Sequence, residues 1–173
     1  MPEQNIEDTA SSARRRPHRA LKPTAGLMAI AILTGAAIVG WQWKQQRDTD
    51  IAARQGLGAA QRFIGVLTNI DGNKLDENFA SAAEGSTGEF KDTYAQSSAQ
   101  LRRLLAENKA TAHGMVVESA VRSASPDSVE VLLFVDQSVS NAAHPEPRLD
   151  RSRIRMTMSK VEGRWLASKV ELP

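Results

Sequence analysis

The 173-residue chain carries 22 basic and 20 acidic side chains and no cysteine, which excludes disulfide frameworks, thiolate zinc sites and cysteine nucleophiles. The formal excess of +2 sits in residues 1–22, whereas residues 44–173 hold 17 basic and 17 acidic side chains. The part long enough to fold therefore lacks the cationic surplus of a phosphate-binding domain, and no nucleic-acid partner is expected.

Residues 1–22 are polar, rich in Ser, Arg and Pro, and read as a disordered basic tail. From Pro23 to Trp43 no residue is charged. A helix of that length spans about 30 Å, the thickness of a hydrocarbon core. Trp41 and Trp43 close the run where amphipathic rings favour lipid headgroups. Its far end, Ile-Val-Gly-Trp-Gln-Trp, lacks a small-x-small cleavage site, so it reads as an uncleaved single-pass anchor rather than a signal peptide. Arg14, Arg15, Arg16, Arg19 and Lys22 precede the span, while Lys44, Arg47 and Arg54 are mixed with Asp48 and Asp50 beyond it. The positive-inside bias predicts a cytoplasmic N-terminus and an extracytoplasmic domain over 44–173.

Beyond the span Ile51, Ala52, Ala59, Phe63, Val66, Leu67 and Ile70 recur at threes and fours. They predict an amphipathic helix continuous with the span and ending near Asp71-Gly72-Asn73. Gly56 and Gly58 lie inside it and read as a packing feature rather than a nucleotide fingerprint. Residues 72–88 form a polar connection with a short helical turn over Leu75 to Phe79. Ser86-Thr87-Gly88-Glu89 fits a capping box with Ser86 as N-cap. A second long helix follows, with Phe90, Tyr94, Leu101, Leu104 and Leu105 on one face, ending near Asn108.

From Thr111 the apolar period changes to two. Met115, Val117 and Val121 mark a first strand, ended by the turn Ser125-Pro126-Asp127-Ser128. Val129, Val131, Leu133 and Val135 alternate in a second strand, with Leu132 and Phe134 on its other face; this pattern predicts a central strand buried on both sides. Asn141 to Pro147 is a loop. Ile154, Met156 and Met158 mark a third strand, and after Glu162-Gly163 a fourth carries Leu166, Val170 and Leu172. Trp165 is expected to pack on the sheet or on the first helix. Helices followed by a four-stranded antiparallel meander predict an α+β roll.

The chemistry-bearing residues are sparse. His18, His113 and His144 have no metal-site spacing, and no HExxH, GxSxG, Walker loop or dinucleotide fingerprint occurs. No catalytic, cofactor-binding or metal residue is assigned, and no enzyme activity is expected. One surface feature stands out: Arg151, Arg153 and Arg155 alternate in the third strand and share the face opposite Ile154 and Met156. Three aligned cations call for acidic neighbours across the strands or for a partner protein.

The segments together resemble the Mce-associated membrane proteins, accessory proteins of the actinobacterial mammalian-cell-entry lipid importers. The strongest cluster is Thr87-Gly88-Glu89-Phe90-Lys91-Asp92-Thr93-Tyr94, similar to that family's tGxFxxxY segment. Residues 131–137, 153–158 and the Gly163-Arg164-Trp165 segment resemble its strands and terminal hairpin. The resemblance implies a cystatin-like roll of the nuclear-transport-factor kind. It further implies an accessory role in assembling or stabilising a lipid or sterol importer, with no catalytic residue to transfer. Two other readings stay open: a secretion-machine scaffold of the same architecture, and a roll with a ligand-binding or enzymatic pocket.

Overall fold

The computed structural model describes residues 24–172, and the chain divides into two units between Gly40 and Trp41. The predicted tail lies outside the described residues. Of the predicted span, Pro23 and the side chains of residues 24–27 and 29–32 also lie outside the described residues. Among the described residues no helix is long and apolar enough to cross a membrane. The first helix, α1, covers Thr24–Thr68, and its described apolar side chains before Lys44 are exposed, among them Leu33, Ile38, Val39, Trp41 and Trp43.

The second unit is α+β. Three helices, α1, α2 (Leu75–Glu84) and α3 (Gly88–Glu107), precede four strands, β1 (Thr111–Ser125), β2 (Ser128–Ser140), β3 (Arg148–Val161) and β4 (Arg164–Glu171). The strands form one antiparallel sheet in the order β1-β2-β3-β4, the predicted meander. Glu162 and Gly163 carry φ of 49° and 81° at the β3–β4 turn, the left-handed pair that a two-residue hairpin requires.

The core lies between α1 and one face of the sheet. Ala52, Ala59, Ala60, Phe63 and Ile64 meet Val129, Val131, Leu133, Val135, Ile154, Met156, Met158 and Ala167. Ile64, Leu133, Met156 and Met158 are fully buried, so the interior of the roll is filled by side chains. Gly56 sets the approach of α1 to β2, because a Cβ there would lie 2.7 Å from Val129. The helix ends at Thr68, short of the expected 71–73. Ile70 pairs instead with Ala112 of β1, and Gln137 Nε2 donates to the Thr68 carbonyl at 3.0 Å.

Several local expectations are corrected. The short turn after Lys74 is a ten-residue helix, α2, burying Leu75, Phe79 and Ala82. Ser86 is not an N-cap: Thr87 occupies that position without a side-chain cap bond. Ser86 is buried in a bridge to Ala167, its Oγ donating to the Ala83 carbonyl at 2.8 Å. Tertiary pairing has taken the residue that local spacing assigned to the cap. Phe90 and Tyr94 do pack one turn apart, ring centroids 5.7 Å, but Leu101 and Leu104 are exposed and α3 buries no residue fully.

In β1 a bulge falls between Val116 and Glu118, so Met115 and Val117 turn outward while Ala112 is buried and Val116 packs against the core. In β4 the inward residues are Trp165, Ala167 and Val170, whereas Leu172 is exposed. Trp165 reaches α1, its Nε1 donating to Gln55 Oε1 at 3.2 Å. Strand β2 is central but buried on one face only, since Phe134 on the other is 44% exposed.

Candidate functional site

Alternation along β2 sends Glu130, Leu132, Phe134 and Asp136 to the outer face of the sheet, and alternation along β3 sends Arg151, Arg153 and Arg155 there. The register sets Asp136 opposite Arg151, Phe134 opposite Arg153 and Leu132 opposite Arg155. The predicted stripe therefore exists, with Ile154 and Met156 buried behind it.

The three arginines have different surroundings. Arg155 Nε lies 3.5 Å from Glu130 Oε1, and another of its nitrogens 3.7 Å from Glu171 Oε2. Glu130 also accepts two bonds from Arg122, at 2.7 and 2.9 Å, and Glu171 pairs with Lys169 at 2.9 Å. The chain Arg122–Glu130–Arg155–Glu171–Lys169 thus crosses all four strands. Arg122, chiefly through its hydrogen bond, holds the Glu130 carboxyl below its ordinary 4.5, and Glu171 raises the Lys169 ammonium above 10.5. Arg151 has a looser partner, Asp136 at 3.7 Å. Arg153 has no ion-pair partner among the described residues.

This network predicts a direction for acid denaturation. A carboxyl depressed in the folded state adds stability above its unfolded pKa, and that stability is lost as pH falls through the folded value. Unfolding midpoints should drop as pH falls below about 4.5, and Glu130→Gln should flatten that part of the curve. An unchanged acid limb in Glu130→Gln would show that the network does not couple to folding.

Around Arg153 the outer face is apolar. Met115 (68% exposed) and Val117 (56%) stand on β1, Phe134 on β2 and Leu172 just beyond β4. Val117, Glu118, Phe134, Asp136, Arg153 and Leu172 line one shallow groove. Composition had suggested only the cations here. The apolar half depends on the β1 bulge, which places Val117 and Glu118 together on the outer face.

The histidines are not gathered. His113 is at the start of β1, and His144 sits in the loop after β2, its backbone N–H bonded to Asn141 Oδ1 at 2.8 Å. No group of three His, Asp or Glu side chains is placed to hold a metal among the described residues.

A third cluster is aromatic. Phe63 of α1 meets Phe90 edge-on at 5.8 Å, Phe90 meets Tyr94, and Tyr94 stacks on Phe79 of α2 at 5.7 Å. Arg102 covers Phe79 at 5.1 Å and pairs with Asp76 at 2.8 Å. Burial raises the Tyr94 phenol above 10.0, with Arg102 opposing. The motif residues of the 87–94 segment thus build the domain rather than a reactive site. Sequence spacing could have found the α2 part, since Leu75, Phe79 and Ala82 fall at i, i+4 and i+7.

Comparison with known proteins gives this arrangement a context. Residues 20–173 match the model of the family described as "Uncharacterized protein Rv1363c/MT1408-like". The chain is 32% identical to Rv1362c of Mycobacterium tuberculosis over 174 residues, covering 94% of this chain and 79% of that protein. It is 30% identical to a protein of the same organism named outer membrane protein Rv1973, over 83% of this chain and 90% of that one. Its fold is similar to an IcmL-like type IV secretion system protein of Legionella pneumophila, with TM-score 0.56 and 10% identity over 68% of this chain and 88% of that one. At that identity the likeness concerns the fold alone. The family match over nearly the whole chain and the 32% identity lead to one assignment: this chain belongs to the Rv1363c/MT1408-like family.

Proposed function

We propose that the chain is a non-catalytic scaffold of the cell envelope, whose folded domain binds protein members of a multi-subunit complex. The observation that carries this reading is the distribution of apolar surface. The interior of the roll is filled, while Met115, Val117 and Phe134 on the sheet, and Leu101 and Leu104 on α3, are exposed. Exposed apolar surface rimmed by charge is the signature of a protein contact. The similarity to a secretion-system protein and the naming of a relative as an outer membrane protein support an envelope setting. The uncharged run over 23–43 and the exposed Leu33, Ile38, Trp41 and Trp43 support a single-pass anchor, and the five basic residues before it support a cytoplasmic N-terminus.

The fold favours a scaffold of the secretion-machine kind. A second reading, an accessory protein of an Mce-type lipid or sterol importer, is supported by the resemblance of residues 87–94 and of the terminal hairpin. Affinity purification of the full-length tagged chain from its host, after crosslinking, separates them: secretion components or importer subunits should be recovered in stoichiometric amounts. Deleting the chain should lower the abundance of that complex. Complementation with His113→Ala and His144→Ala should be complete. Failure of His113→Ala with every partner protein at normal level would overturn the scaffold reading in favour of an active pocket.

A further inference from the structure

Two unneutralised charges on the outer face lie on either side of one aromatic ring. Phe134 on the central strand is flanked by Glu118 on β1 and Arg153 on β3, its register partners. No ion pair joins Glu118 or Arg153 to any group among the described residues. The neighbouring charges on β2 and β3 are paired: Arg155 has two carboxylates, Glu130 has Arg122 and Asp136 has Arg151. An apolar centre with one cation and one anion at equal spacing is self-complementary.

From this we infer that the outer sheet face is the interface of a symmetric dimer of this chain, with Phe134 on the two-fold axis. The symmetry can be argued from the register. Neighbouring strands lie about 4.8 Å apart, so Glu118 and Arg153 stand at similar distances on opposite sides of β2. A two-fold axis parallel to β2 and lying in the interface exchanges these sides. It sets each Arg153 against the partner's Glu118, twice over, and packs the two Phe134 rings together. The perpendicular in-plane axis would set Arg153 against Arg153 and Glu118 against Glu118, and like-charge repulsion rejects it. Asp136 and Glu130 also lie on the chosen axis and meet their own copies, but each carries its own arginine there. Met115 and Val117 extend the apolar contact over the stems of the arginines across the interface. Sheet twist rotates the facing strands, which confines the contact to the centre around Phe134. This dimer does not depend on which complex the chain serves.

The absence of cysteine makes the test direct. Full-length Phe134→Cys, expressed in membranes and treated with a short bifunctional maleimide that spans the roughly 10 Å between packed sheets, should form a cross-linked product of twice the 18.8 kDa chain mass. Leu101→Cys, on exposed apolar surface of α3, should not. In the Phe134→Cys background, Glu118→Arg or Arg153→Glu alone should lower the linked fraction about tenfold, since each creates like-charge contacts, and the double exchange should restore it. If a reversed variant fails to accumulate, Glu118→Gln and Arg153→Gln replace it, with a smaller loss expected. Three results would overturn the inference: no linked product at position 134, a product containing a different protein, or single reversals that leave linkage unchanged.

Discussion

Truncating Phe63 to alanine should destabilise the 41–173 unit by about 3–5 kcal/mol, the range for a buried aromatic whose cavity does not collapse. Phe63 is 6% exposed and belongs to the core cluster. Its ring touches Phe90 edge-on at 5.8 Å, joining α1 to the stack that continues through Tyr94 to Phe79. Gly85, at the end of α2, lies so close that a Cβ there would be 2.6 Å from the Phe63 ring. The ring therefore fills a space walled by three elements, and none can move in without losing its own contacts. Urea unfolding measures the loss, and a change under about 1 kcal/mol would place the ring at the surface.

Tyr94 gives an independent readout, because it is the only tyrosine in the chain. Its phenol is raised above 10.0 by burial. A raised phenol favours the folded state below its unfolded pKa, and that contribution is lost as pH rises through the folded value. Absorbance titration of Phe63→Ala at low urea should show Tyr94 ionising closer to 10.0, since loss of Phe63 loosens Phe90 and admits water. A change in stability with no change in the Tyr94 titration would mean that the stack holds without its α1 member.

What the sequence disclosed follows from which structural rules are local. The meander was readable because its turns are set by residues within four positions: Pro126-Asp127 and Glu162-Gly163 fall where expected. Strands β2 and β3 were readable because their alternation is unbroken from Val129 to Val135 and from Ile154 to Met158. In β1 the parity failed. A bulge adds one residue and reverses the side chains beyond it, here as far as a second register shift between Val121 and Ser123, and the Val116-Val117-Glu118 segment carries no glycine or proline to announce it. The same bulge hid the apolar half of the outer face. Ser86 failed differently: its capping spacing is sound locally, but pairing of residues 85–87 with Ala167, far along the chain, decides its role. The Arg stripe was visible in sequence, whereas the neutralisation of Arg155 by Glu130 and Glu171 needed the strand register.

Gly56→Val tests the approach of α1 to the sheet and should cost about 2–3 kcal/mol. On an exposed helix the change would be slightly favourable, because glycine is the poorer helix former by a few tenths of a kcal/mol. Here the new Cβ would sit 2.7 Å from both Cβ and Cγ2 of Val129, which is fully buried at the start of β2. Val129 cannot turn away, because its other contacts are the packed core. The helix must lift, and overpacking of this kind costs about 1–3 kcal/mol before the second branch is placed. Lifting α1 would also weaken Ala52, Ala59 and Ala60, whose small side chains suit only a close helix. A double-mutant cycle isolates the contact. In a Val129→Ala background the two Cγ atoms are gone while the Cβ stays, so the cost of Gly56→Val should shrink by about 1 kcal/mol. If the two costs simply add, the destabilisation comes from somewhere other than the Gly56–Val129 contact, and the close approach of α1 does not set the core.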